Sequence, residues 1–306
     1  MNTEEINDFV ETQLAVWPEA RRNFDALAKV ERKRLQLGEL EVYAQHNPGR
    51  IVSTAAKTDA ESIKKRACFL CSQNRPKSQI ALEISPEWDL LLNPFPILPI
   101  HFTIADRNHR PQDGIPAEMA LMAQDSPDLA IFYNGARAGA SAPDHRHCQA
   151  VLKSELPIIK LAERYHNLTD CPAIVGSTYF DIDLPFHFVS ACITPDDNGV
   201  RTLRTILNVK GVDAETGNPD AALVNVFFWM DDTGLMRSIV IPRKAHRPKC
   251  FFKEGYEKMT VSPGALDMAG LLILPVEKDF NAMTSEIARE IYSEVAFADR
   301  LPDEIL

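Results

Sequence analysis

The sequence predicts an α+β fold with mainly antiparallel sheet and helices outside. Three observations carry that expectation. Short apolar or alternating runs outnumber long helical patterns. Two of them, Val224–Met230 and Leu235–Pro242, flank Asp231-Asp-Thr-Gly234, a strong hairpin signal. The longer helical periodicities lie near the two ends, without the strict strand–helix alternation of a parallel sheet. The 306 residues are 45% hydrophobic and 25% charged, ordinary proportions for a globular protein with a sizeable core.

From the N-terminus, Ile6, Phe9, Val10, Leu14 and Trp17 recur at helical spacing until Pro18 interrupts them. Residues 19–36 read as a second helix ending near Gly38. Residues 39–45 and 50–55 read as strands of a hairpin around His46-Asn-Pro-Gly49. A basic stretch from Lys57 to Arg66 leads into Cys68-Phe-Leu-Cys71. The proline-rich run 89–99 precedes a strand at 101–105, a helix at 116–124 and a short buried strand at 129–133. Asn134 to Ser141 is a loop of small residues, with Gly135 and Gly139, that delivers the chain into a strand ending near Leu152. Farther on, 262–274 reads as a turn, a short helix or loop, then a strand, and 278–296 as one final helix.

The formal net charge of −10 argues against a nucleic-acid partner. No apolar run approaches the roughly 20 residues of a membrane span, and the acidic N-terminus lacks the marks of a signal peptide. A cytoplasmic location is the expectation. Six cysteines in so long a chain do not suggest a disulfide framework.

The most informative stretch is Ser141-Ala-Pro-Asp-His-Arg-His-Cys-Gln149. On an extended strand His145, His147 and Gln149 share one face, with Arg146 and Cys148 on the other. An imidazole can attack phosphorus and carry a nucleotidyl group, and a neighbouring amide can donate to the phosphate oxygens as charge builds. A loop such as 134–141 can bring backbone N–H groups to phosphate. The Cys68/Cys71 spacing suits a zinc knuckle, or simply two buried thiols. Arg50 and residues 57–66 read mainly as a solvated charged face, and Arg243 to Lys249 as a surface basic cluster able to meet a phosphate.

The strand motif resembles that of the histidine-triad superfamily. It is most similar to the branch containing galactose-1-phosphate uridylyltransferase, diadenosine tetraphosphate phosphorylase and the GDP-hexose phosphorylases, whose motif ends in Gln. Asn93-Pro-Phe-Pro-Ile-Leu-Pro-Ile-His101 resembles the branch's approach to a sheet strand. Cys68-x-x-Cys71-x-x-Asn74 resembles the uridylyltransferase metal knuckle, and Asp267 to Lys278 the C-terminal segment of the GDP-hexose phosphorylases. The likeness is to a bacterial relative of these phosphorylases, and the motifs cover roughly residues 65–155.

The resemblance implies two histidine-triad-like halves forming one compact unit: a catalytic half at 1–165 and a degenerate half at 166–306. It implies His147 as nucleophile, Gln149 on the transferred phosphate, and Asn134, Gly139 and Ser141 near the phosphates. Cys68, Cys71, His109 and His145 would hold a structural zinc. Ser141 stands one residue farther from the first His than in most uridylyltransferases. The implied donor is a nucleotide sugar or a dinucleoside polyphosphate, and the acceptor is phosphate or a sugar 1-phosphate. The phosphorylase-like C-terminal segment favours the nucleotide sugar. Gln cannot exchange protons as a third His would, so transfer or phosphorolysis is expected over hydrolysis. Dinucleoside polyphosphate phosphorylase (adenylyltransferase) and hexose-1-phosphate uridylyltransferase are the alternatives, and a non-catalytic nucleotide-binding protein is a further one. A homodimer fits the resemblance as well.

Overall fold

A computed structural model describes residues 1–55, 59–165, 173–175, 182–209, 211, 223–299 and 301. Lys57, at the start of the basic stretch, lies outside the described residues. The helices are α1 (Thr3–Val16), α2 (Pro18–Leu27), α3 (Ile51–Thr54), α4 (Ala60–Lys64), α5 (Met119–Asp125) and α6 (Pro157–Tyr165). They continue with α7 (Asp197–Asn208), α8 (Ala265–Met268), α9 (Glu277–Ala282) and α10 (Ser285–Val295). The strands are β1 (Glu31–Leu37), β2 (Leu40–His46), β3 (Ala81–Ser85), β4 (Trp88–Leu92), β5 (His101–Asp106) and β6 (Leu129–Asn134). They continue with β7 (His147–Leu152), β8 (Ala173–Val175), β9 (Phe188–Ile193), β10 (Val224–Met230), β11 (Met236–Pro242) and β12 (Leu271–Leu274).

Nine strands form one antiparallel sheet in the order β3-β4-β5-β7-β6-β10-β11-β9-β8. A second sheet, β1-β2-β12, pairs β12 parallel to β2. Strands β6 and β10 read as nearly unbroken apolar runs because the large sheet is covered on both faces. Ala130, Phe132, Phe227 and Trp229 pack toward the small sheet, α6 and α10. Leu129, Ile131, Tyr133, Val226 and Phe228 pack the other way, beneath α1 and α5. Each of the Leu, Ile, Val and Phe side chains among these contributes about 1.5–3 kcal/mol on burial.

Helix α1 begins with a capping box, Asn2 accepting from the Glu5 N–H and Glu5 from that of Asn2. The α2 pattern predicted to reach residue 36 stops at Leu27. Glu, Arg, Lys and Gln favour helix intrinsically. In 31–37, however, only Leu35 and Leu37 are buried, two residues apart, and burying both requires a strand. The hairpin is therefore β1–β2, not 39–45 with 50–55. Its turn holds Gly38 at φ +63°, where a Cβ would lie 1.9 Å from the Asp183 carbonyl oxygen. Residues 50–55 are instead a helical turn, started by Pro48 and continued by α3. The predicted final helix is two, α9 and α10, the second capped by Thr284.

Candidate active site

Segment 141–152 serves two places at once. Strand β7 begins at His147, with Cys148 and Ala150 in the core beneath α1 and α5. His147 and Gln149 point to the opposite face, into a cavity of about 570 Å³. His145 precedes the strand, and its ring is turned away from this cavity. Only two of the three residues expected on one ridge therefore share it, because strand alternation does not extend back to His145. Arg146 leaves on the other side as expected, paired with Asp106 at 2.7 Å.

His147 Nδ1 donates to the carbonyl of His145 (2.7 Å), which leaves Nε2 as the unprotonated nitrogen. Burial holds this ring neutral, with its pKa lowered to about 4. Gln149 is oriented by a short relay. The Ile97 N–H can only donate, so His101 Nδ1 accepts from it (3.2 Å) and the His101 proton sits on Nε2. That nitrogen donates to Gln149 Oε1 (2.9 Å), so the Gln149 NH₂ is the end left for a ligand. Burial, then the charge of Arg50, lower the His101 pKa to about 3, and the ring stays neutral.

Asn134 presents the same chemistry. Its Oδ1 accepts from Ala265 N–H (2.7 Å) and Asn225 Nδ2 (3.1 Å), which leaves its NH₂ for the cavity it lines. Buried Arg243 braces this arrangement by donating to Asn225 Oδ1 (2.7 Å). Arg243 is thus internal scaffolding and not the surface phosphate contact the sequence suggested, although Arg247 does line the cavity. Gly139, at φ +99°, lies so close to Gly264 that a Cβ would sit 2.4 Å from its Cα. This contact closes the 134–141 loop against the 262–267 segment. Ser141 also lines the cavity, and its carbonyl accepts from Arg66 (3.3 Å).

Arg50, Arg66, Arg247 and His246 complete the polar wall, while Trp17, Val52, Phe69, Leu70 and Phe95 form an apolar one. Arg50 and Arg66 therefore belong to the site rather than to a solvated face; Lys65 of the same stretch is exposed. Arg50 Nε and Arg66 Nη1 are buried without a hydrogen-bond partner among the described residues. Asp267 also lines the cavity. Burial pushes its pKa up to about 6, against the N–H groups of Ile273 and Gly264 that its oxygens accept.

The four residues expected at a metal do come together. Cys68 Sγ lies 3.3 Å from His145 Nδ1, and Cys71 Sγ lies 3.2 Å from His109 Nδ1 and 3.5 Å from His145 Nδ1. The two imidazole Nδ1 atoms are 3.3 Å apart, and all four donor atoms lie within 4.8 Å of one another. Tetrahedral zinc with bonds of about 2.3 Å to S and about 2.0 Å to N needs donor separations of about 3.3–3.8 Å. His145 Nε2 donates to the Asp106 carbonyl (2.7 Å), which turns Nδ1 toward the cluster as an acceptor. The donor set and its spacing fit a divalent ion.

Sequence reasoning missed Gln112, gave His101 no role, and left Arg50 and Arg247 among charged surface residues. His101 closes the proline-rich motif, which was a signal for it. Gln112 had none.

Comparison with known proteins agrees with the fold. Residues 9–152 match the family model described as a domain of unknown function, DUF4922. No curated protein matches the sequence. The structure is similar to yeast Ap4A phosphorylase Apa2 in complex with AMP, with a TM-score of 0.57 and 15% identity over 95% of this chain and 98% of that one. It is similar to the same enzyme in complex with Ap4A, with a TM-score of 0.54 and 12% identity over 93% and 98% of the two chains. The neighbours of this α+β fold thus include a phosphorylase of the branch that the strand motif resembles. Among the described residues no helix is long and apolar enough to cross a membrane.

Proposed function

We propose that the protein transfers nucleotidyl groups from a nucleoside phosphoanhydride to phosphate, with His147 as the covalent carrier. One observation carries this reading. A neutral imidazole with a free Nε2 lines the cavity together with two side-chain amides, Asn134 and Gln149, each held with its NH₂ available.

In the first step Nε2 attacks the α-phosphorus, and the bond to the bridging anhydride oxygen breaks. The leaving group departs as a phosphate anion and needs no proton. The His147 proton stays on Nδ1, where the His145 carbonyl stabilises the positive ring. The amide donors meet the oxygens on which negative charge grows. In the second step an oxygen of inorganic phosphate attacks the same phosphorus, breaks the P–N bond, and releases a nucleoside diphosphate and neutral His147. No group here must shuttle a proton, and so Gln149 suffices where a hydrolase would place a third His.

Two donors satisfy this chemistry. The guanidiniums of Arg50, Arg66 and Arg247, two of them with orphaned donors, favour a dinucleoside polyphosphate, and yeast Apa2 has been crystallised with Ap4A. The phosphorylase-like segment from Asp267, whose Asp267 and Ile273 line the cavity, supports a nucleotide sugar. In either case the Cys68, Cys71, His109 and His145 cluster holds a structural zinc.

Turnover of both donor types with ¹⁸O-labelled phosphate tests the reading. Label in the nucleoside diphosphate, together with release of a nucleoside triphosphate or a sugar 1-phosphate, is the expected result. Exchange that requires an added sugar 1-phosphate would instead identify a uridylyltransferase-type enzyme. Release of unlabelled NMP, the product of attack by water, would contradict phosphorolysis. Binding of nucleotides with no turnover of any donor would leave a non-catalytic binding protein.

A further inference from the structure

Strands β6 and β7 pair in register from Leu129↔Leu152 to Phe132↔Gln149. Two steps further in that register, beyond Tyr133 and Cys148, Asn134 would stand opposite His147, the residues that carry the loop amide and the imidazole. The ladder does not reach it. The side-chain amide of Gln112 stands between the two strands instead. The His147 N–H donates to Gln112 Oε1 (2.8 Å). Gln112 Nε2 donates to the carbonyls of Asn134 (2.9 Å) and His147 (2.8 Å). A bond that would have run directly from His147 N–H to Asn134 C=O runs through one primary amide.

Gln112 is itself fixed. Its backbone N–H donates to the Pro143 carbonyl (3.0 Å), its carbonyl accepts from the Tyr133 hydroxyl (3.4 Å), and its side chain is buried. Every polar group of the residue is therefore used, and its side chain reaches only the backbone of the two site residues. We infer that Gln112 is a positioning residue: its amide wedges β6 from β7 and sets the spacing between the His147 imidazole and the loop that starts at Asn134.

The consequences follow from ladder geometry. Without the wedge the strands can close by pairing Asn134 with His147 directly, as any antiparallel pair does. Closure would draw the loop amides over the attacking nitrogen and misplace Nε2 against phosphorus. An error of about 1 Å in such a position costs on the order of 100-fold in rate. Arg50, Arg66 and Arg247 line the cavity from other segments of the chain, so their ground-state contacts would be spared. The expected signature is therefore a fall in kcat with little change in KM. A merely structural residue would lower the folded fraction and spare the kcat of the molecules that fold.

This inference rests on His147 being the nucleophile, and the experiment separates the two ideas. Gln112→Glu retains an acceptor for the His147 N–H but sets a carboxylate against two carbonyls. Gln112→Met retains the volume and removes both kinds of bond. In single-turnover formation of the His147 adduct, counted per folded molecule by circular dichroism, both variants should react about 100-fold slower. Nucleotide affinity should stay within about threefold of wild type. Failure of the wild type to form an adduct would overturn the proposed function. An adduct in the wild type with rates within about threefold in either folded variant would overturn the role of Gln112 alone. Should neither variant fold, amide hydrogen exchange on the wild type decides. The His147 N–H should be as protected as the centre of β7, and exchange at the rate of an open loop would refute the wedge.

Discussion

The two sides of segment 141–149 differ in one physical respect. Around His145 every donor faces another donor of the same cluster: two thiols and two imidazoles lie within 4.8 Å, and the remaining His145 nitrogen is bonded to a backbone carbonyl. Around His147, two residues later, the bonding is deliberately incomplete. An imidazole nitrogen and two amide NH₂ groups face the cavity, and two guanidinium nitrogens lack acceptors among the described residues. A closed donor set suits an ion that stays, and an open one suits a substrate that comes and goes. The His145 carbonyl joins the two, since it holds the Nδ1–H of His147.

Substitutions on the open side should do the most damage to chemistry. His147→Ala should abolish adduct formation, a loss of about 10³-fold or more in kcat, while nucleotide binding persists in a titration calorimeter. Gln149→Ala removes one charge-stabilising donor, and about 10²-fold should be lost, read in the single-turnover rate. The closed side should act through position. Cys68→Ser, or prolonged chelation, should remove one equivalent of zinc by elemental analysis, lower Tm, and reduce turnover by about 10–100-fold. Equal loss of activity from the two sides without loss of metal would erase the distinction between them. His101→Phe should cost less, about tenfold, because Gln149 is kept but its amide is free to flip.

A separate effect concerns stability against pH rather than rate. Burial holds His101 and His246 neutral, with pKa values lowered to about 3 and about 4. In the unfolded chain both take up protons near pH 6.5, before the folded protein can. Stability should therefore fall as pH drops from about 6.5 toward 4 and rise again with pH over the same window. Urea titrations at several pH values measure this, and His246→Asn should flatten the slope.

Strand β7 and the Cys68/Cys71 pair were legible in the sequence because each is written locally, whereas His109 and His145 joined the cluster only through the family resemblance. His147 and Gln149 are two residues apart, Cys68 and Cys71 three, and the strand period places the first pair without knowledge of the fold. His145 shows the limit of that reasoning, since the same alternation assigned it to the wrong side of a strand that starts only at His147. Strand β1 was hidden because its charged residues favour helix, and only its pairing with β2 and the burial of Leu35 and Leu37 decide the matter. Arg50 and Arg247 enter the cavity from turns whose direction is tertiary. Gln112 carries no local mark at all: its amide is informative only because two distant strands part around it.

The central claim is that His147 becomes covalently nucleotidylated. Intact-protein mass after brief incubation with Ap4A and with nucleotide sugars, each without phosphate, tests it most directly. An added NMP mass, absent in His147→Ala and discharged as nucleoside diphosphate when phosphate is supplied, is the expected result. Turnover of a donor with no adduct, or an adduct that survives His147→Ala, would contradict the account.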